Sequence, residues 1–87
     1  MDEKNIIYYS ARHRAQGLPM RDGWVTYRRS DGSLQDFLLR IDEGEEHRTI
    51  YVRRGYLSKF TAYTSVNKKL SEKTLILRAL RKMFKEN

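Results

Sequence analysis

The stretch Trp24-Val25-Thr26-Tyr27-Arg28-Arg29-Ser30-Asp31-Gly32-Ser33-Leu34-Gln35-Asp36-Phe37-Leu38-Leu39-Arg40-Ile41 decides how this chain folds. Two runs rich in β-branched and aromatic residues, Trp24 to Arg29 and Leu34 to Ile41, flank Ser30-Asp31-Gly32-Ser33. An Asp-Gly pair between such runs predicts a tight hairpin, because glycine accepts the positive φ that the turn needs. In the second run Phe37, Leu39 and Ile41 share one face, while Asp36, Leu38 and Arg40 share the other. That alternation predicts an antiparallel sheet with one buried and one wet side.

Further along the chain, Asp42-Glu43-Gly44-Glu45-Glu46 reads as a turn, and Arg48 to Arg53 reads as a third strand with Ile50 and Val52 on its core face. Arg53-Arg54-Gly55 introduces either a further strand over Tyr56 to Tyr63 or a short helix. Ser71 suits a helix N-cap and Glu72 complements the positive end of the helix dipole. A helix of about four turns is expected from there, uninterrupted by Pro or Gly up to Asn87. Ile76, Leu77, Ala79, Leu80, Met83 and Phe84 fall on one face of it, and Arg78, Arg81, Lys82 and Lys85 on the opposite, outward face. Towards the N-terminus, Asn5 to Ala11 reads as a strand. Its run Ile6, Ile7, Tyr8, Tyr9 has no clean alternation, which suggests burial on both faces. Residues 12–23 hold the only Pro and two of the five Gly, and read as a surface loop. Strands that precede a helix, instead of alternating with it, predict an α+β fold: a small antiparallel sheet of three to five strands packed against one C-terminal helix.

Eighty-seven residues suffice for one domain over residues 1–87 and not for two cores. The absence of Cys excludes disulfides, thiolate zinc and thiol catalysis, and fits a reducing compartment, so the expected location is cytoplasmic. No apolar run is long enough for a membrane span, and the start Met1-Asp2-Glu3-Lys4 lacks the features of a secretion signal.

Charge is distributed unevenly. Residues 1–46 carry seven Lys/Arg against nine Asp/Glu, whereas residues 47–87 carry eleven against two. A one-sided positive field attracts phosphate polymers, anionic lipid or an acidic protein surface. The residues expected to contact nucleic acid are Arg28, Arg29, Arg48, Arg53, Arg54, Lys59, Lys68, Lys69 and the helix stripe Arg78, Arg81, Lys82 and Lys85. Several of them alternate with Trp24, Tyr27, Tyr51 and Tyr56, and arginine beside aromatics suits phosphate gripping and base stacking. Stacking on a single strand requires those rings to be outside; duplex binding by shape and phosphate does not.

The leading expectation is therefore a small, basic, non-enzymatic module that binds the backbone of DNA or RNA. A second reading is a protein-interaction module, such as a mobile-element inhibitor, that docks its basic face on an acidic partner. A third reading starts from His13, His47, Arg48, Tyr51, Arg53 and Lys59, which are residue types able to act as acid, base and phosphate clamp in RNA cleavage. The segment Glu45-Glu46-His47-Arg48-Thr49-Ile50-Tyr51 resembles the strand around the Glu-His-Arg segment of some RelE-type ribosome-associated endoribonuclease toxins, whose size and basicity also match. That resemblance implies a ribonuclease toxin but carries over no residue role, because those proteins place helices before the sheet. No catalytic residue, metal site, cofactor or small-molecule substrate is expected, since no phosphate loop or metal-ligand spacing is present, and no membrane partner is expected because the apolar face of the helix is needed for the core.

Overall fold

A computed structural model describes residues 2–85. Five strands form one antiparallel sheet in sequential order: β1 (Ile6–His13), β2 (Met20–Arg28), β3 (Leu34–Glu43), β4 (Arg48–Arg53) and β5 (Thr61–Ser65). A single 3-10 turn, Glu3–Asn5, precedes them and the helix α1 (Glu72–Lys85) follows. The ten residues of β3, at about 3.4 Å each, account for most of the 40 Å long dimension of the molecule.

The β2–β3 hairpin forms where the Asp-Gly pair predicts it. Arg29 N–H donates to the Ser33 carbonyl at 2.8 Å and Gly32 N–H to the Arg29 carbonyl at 2.9 Å. Gly32 takes φ +86°, the left-handed position that closes a three-residue loop without a Cβ clash. Asp31 Oδ1 accepts from both the amide and the hydroxyl of Ser33, and these bonds lower its carboxyl pKa.

Two expectations about the N-terminal region are corrected. Residues 12–23 are loop only in their central half: β1 continues to His13, β2 begins at Met20, and residues 14–19 turn the chain. Gly17, at φ +85°, is the turn glycine, whereas Gly23 lies inside β2, where a Cβ would fall 1.7 Å from the Ser10 carbonyl oxygen. Gly23 thus permits close backbone approach within the sheet. Nor is β1 buried on both faces, since Ile7 and Tyr8 are exposed. The register with β2 shifts between Ile6 and Tyr8, and such an irregularity breaks the alternation that a regular strand would show. The segment after β4 is also corrected. Residues 54–60 form a turn and loop, with Tyr56 and Leu57 in solvent, and β5 spans Thr61 to Ser65 in place of Tyr56 to Tyr63.

Helix α1 starts at its expected cap: Thr74 N–H donates to Ser71 Oγ at 3.1 Å. Leu75, Ile76, Leu77, Ala79, Leu80 and Met83 are buried against Val25, Tyr27, Phe37, Leu39, Ile41, Ile50 and Val52 in one core. Burying each aliphatic side chain of this kind contributes about 1.5–3 kcal/mol. Phe84 completes the core edge, with its ring 5.8 Å from Phe37 and 5.7 Å from Tyr27. A polar clamp fixes the start of the helix. Arg21 Nη2 donates to Glu72 Oε2 at 2.6 Å, and the Tyr9 hydroxyl donates to Glu72 Oε1 at 3.2 Å. The expected helix continuation through Glu86 and Asn87 lies outside the described residues. Among the described residues no helix is long and apolar enough to cross a membrane.

Candidate nucleic-acid interface

Because α1 covers one face of the sheet, the alternation of each strand assigns the remaining side chains to the open face. Register places Trp24 opposite Leu38, and Leu38 opposite Arg53, in one row across β2, β3 and β4. Tyr8 reaches this row diagonally from β1, with its ring 5.9 Å from Trp24. At the other end Phe60 packs edge-on against Tyr51, at 6.2 Å. The Arg53 guanidinium lies 4.6 Å from the centroid of Phe60 and 5.9 Å from that of Tyr56, while Arg40 lies 5.5 Å from Phe60. Such contacts hold a cation in place while leaving its charge intact. Tyr8 is 54% exposed, Trp24 45% and Tyr56 91%.

Seven of the twelve expected contact residues gather at the end of the molecule that carries the β2–β3 hairpin. Arg28 ends β2 opposite Leu34, Arg29 donates to Gln35 Oε1 at 2.8 Å, and Arg53 ends β4. Arg54 lies 5.7 Å from the centroid of Phe84, in the last helical turn. Phe84 in turn lines an open depression with Tyr27, Arg29 and Ser30. Lys59 precedes Phe60, Lys82 Nζ donates to the Ala62 carbonyl at 2.9 Å, and Lys85 closes α1. Among the carboxylates near these cations are Asp31 in the turn, Asp36, which accepts from Thr26 Oγ1 at 2.6 Å, and Asp22, which lines one depression with Arg40, Arg53 and Phe60.

The remaining five lie elsewhere. Arg48 faces the covered side and donates from Nη2 to the carbonyls of Leu70 and Asn67, which makes it a clamp on the approach to α1. Lys68 Nζ donates to the Gly44 carbonyl at 2.9 Å, and it and Lys69 stand at the end of the sheet that carries the acidic turn 42–46. Arg78 does not project freely outward. It leans over the edge strand, donating to the Tyr63 hydroxyl at 2.9 Å, with its guanidinium 5.9 Å from that ring. Lys82 leans the same way, because edge strand β5 offers carbonyls that no further strand occupies. Arg81 is exposed and lines a depression with Asp2 and Glu3. The expected basic set is therefore divided: seven members lie toward the hairpin end, Arg48, Lys68 and Lys69 lie toward the acidic turn, and Arg78 and Arg81 stand between them along α1.

The ion pairs sharpen this polarity. They join Lys4 to Asp2, Arg14 and Arg40 to Asp22, and Arg21 to Glu72. These four cations come from residues 1–46, the half to which Arg28 and Arg29 of the hairpin pole also belong. At the hairpin pole Arg53 and Arg54 rest on rings, Arg29 on the Gln35 amide oxygen and Lys82 on the Ala62 carbonyl.

Of the aromatics expected beside arginines, Tyr27 is core, while Trp24, Tyr51 and Tyr56 lie outside it. Sequence reasoning missed Tyr8, Phe60, Leu38 and Arg40. The irregularity in β1 hid the outward direction of Tyr8, and Phe60 lies in a loop where periodicity carries no signal. The residues of the ribonuclease reading are dispersed. Arg48 sits on the covered side, Tyr51 on the open face opposite Arg40, and His13 Nδ1 meets the Leu18 carbonyl at 2.9 Å in the β1–β2 loop. Burial, followed by the Glu72 carboxylate, raises the Tyr9 pKa, so that phenol belongs to the helix clamp. Among the described residues no group of three or more His, Cys, Asp or Glu side chains is gathered for a metal ion.

Comparison with protein-family models, curated proteins and solved structures finds no match to this chain.

Proposed function

We propose that this chain is a non-enzymatic nucleic-acid-binding module that grips the phosphate backbone with its hairpin pole. The observation that carries the reading is the gathering of Arg28, Arg29, Arg53, Arg54, Lys59, Lys82 and Lys85 toward the hairpin end, away from the acidic turn 42–46, with Arg53 and Arg54 over ring faces and Arg29 and Lys82 on neutral acceptors. Cations held in this manner keep their charge for a polyanion, and their fixed placement lowers the ordering cost of binding. Fluorescence anisotropy of labelled oligonucleotides at two salt concentrations tests it. Engagement of about four phosphates gives a log–log salt slope near −3 to −4. No saturable binding at low salt contradicts the proposal.

A second reading, docking on an acidic protein, is favoured by exposed Leu34, Leu38 and Leu57 among these arginines, since apolar and Arg side chains together also suit a protein interface. A stoichiometric protein retained in a pull-down from nuclease-treated lysate supports that alternative.

A further inference from the structure

Resting on the reading above, we infer that the open face of the sheet receives unpaired bases, so that the ligand is a single strand and not a duplex. The row Trp24–Leu38–Arg53 runs straight across three strands, with Tyr8 at one end and Phe60 and Tyr56 at the other. With strands about 4.8 Å apart, Trp24 and the Arg53–Phe60 pair are separated by about 10 Å. Two bases of one extended strand can therefore use separate ring platforms, with Leu38 as the apolar floor between them. The Tyr8 and Trp24 rings are tilted by 43° and do not stack flat on each other.

Charge selects this occupant over an apolar one. The Arg53 guanidinium lies over the Phe60 and Tyr56 rings, contacts that hold it in place and leave its charge intact for a phosphate, while its enclosed Nε has no hydrogen-bond partner. Arg28 and Arg40 share the open face with it, the latter paired to Asp22. A duplex keeps its base faces stacked inside and presents only edges and backbone, so exposed rings add nothing to its binding. A single strand offers both the bases and the phosphates.

Trp24 is the only tryptophan, so its fluorescence reports the site directly. The test titrates the full chain with a deoxythymidine oligomer, a uridine oligomer and a duplex of equal length at low salt. Saturable quenching by the single strands, with little or none by the duplex, is expected. Trp24→Ala then weakens single-strand binding by about tenfold or more, read by anisotropy, while Trp24→Tyr largely restores it. Because Trp24 is exposed, circular dichroism of both variants matches the parent. A preference for either oligomer supports the inference and identifies the sugar that is read. Equal single-strand and duplex affinity with silent Trp24 fluorescence overturns this inference and leaves the backbone-binding proposal standing, whereas no binding of any oligomer overturns both. A stable dimer that buries Trp24 and ignores the oligomers also overturns it.

Discussion

The guanidinium of Arg53 lies 4.6 Å from the ring centroid of Phe60. An arginine stacked in this way meets a phosphate already oriented, so ring and cation contribute differently to binding. Arg53→Gln removes one charge and is expected to lower affinity while reducing the magnitude of the salt slope by about one. Phe60→Ala keeps the charge but releases it, and is expected to lower affinity with the slope unchanged. Paired salt titrations of the two variants check this distinction.

The division between the two ends gives a second expectation. Charge reversal of Arg54 and Lys59 together weakens oligonucleotide binding by roughly tenfold or more, since each lost phosphate contact also loses its counterion release. The same reversal of Lys68 and Lys69, which stand near the acidic turn, changes affinity far less. Anisotropy at one fixed low salt concentration compares the two variants.

Gly23 is expected to tolerate no side chain. An alanine Cβ there would overlap the Ser10 carbonyl oxygen, forcing β1 away from β2 and breaking ladder bonds. Gly23→Ala is therefore expected to lower stability by at least about 2 kcal/mol, measured by urea denaturation. Gly55→Ala, where a Cβ meets open space, is the control and stays close to the parent.

Alkaline titration tests the helix clamp. The Tyr9 phenol is raised above its ordinary value by burial and then by the Glu72 carboxylate, with Arg21 opposing. A raised folded-state pKa gives stability that is fully present below the unfolded value of about 10 and lost as pH rises through the folded value. The ultraviolet phenolate band is expected to show one tyrosine ionising late, and Tyr9→Phe to abolish that phase. The substitution also costs about 1 kcal/mol at neutral pH through the lost hydrogen bond.

The β2–β3 hairpin and α1 were legible because short-range chemistry determines them: Gly32 for the turn, Ser71 for the cap, and the alternation of Phe37, Leu39 and Ile41 for the core face. The β1–β2 pairing was not legible, because its marker, Gly23, reads locally as a turn residue while its role depends on close approach to Ser10 in the neighbouring strand. The candidate site followed the same division. Charge asymmetry could be read from the sequence, yet the paths of Arg78 and Lys82 depend on acceptors supplied by β5, and Phe60 gains meaning only beside Arg53. These are tertiary relationships that no spacing rule encodes.

Where an oligonucleotide touches the molecule can be measured residue by residue through amide and indole shifts in a heteronuclear NMR titration. The account predicts saturable perturbations at Arg28, Arg53, Arg54, Lys59 and the Trp24 indole, with Lys68 and Lys69 nearly still. Perturbations confined to residues 44–48 and 67–70, or none at low salt, would contradict it.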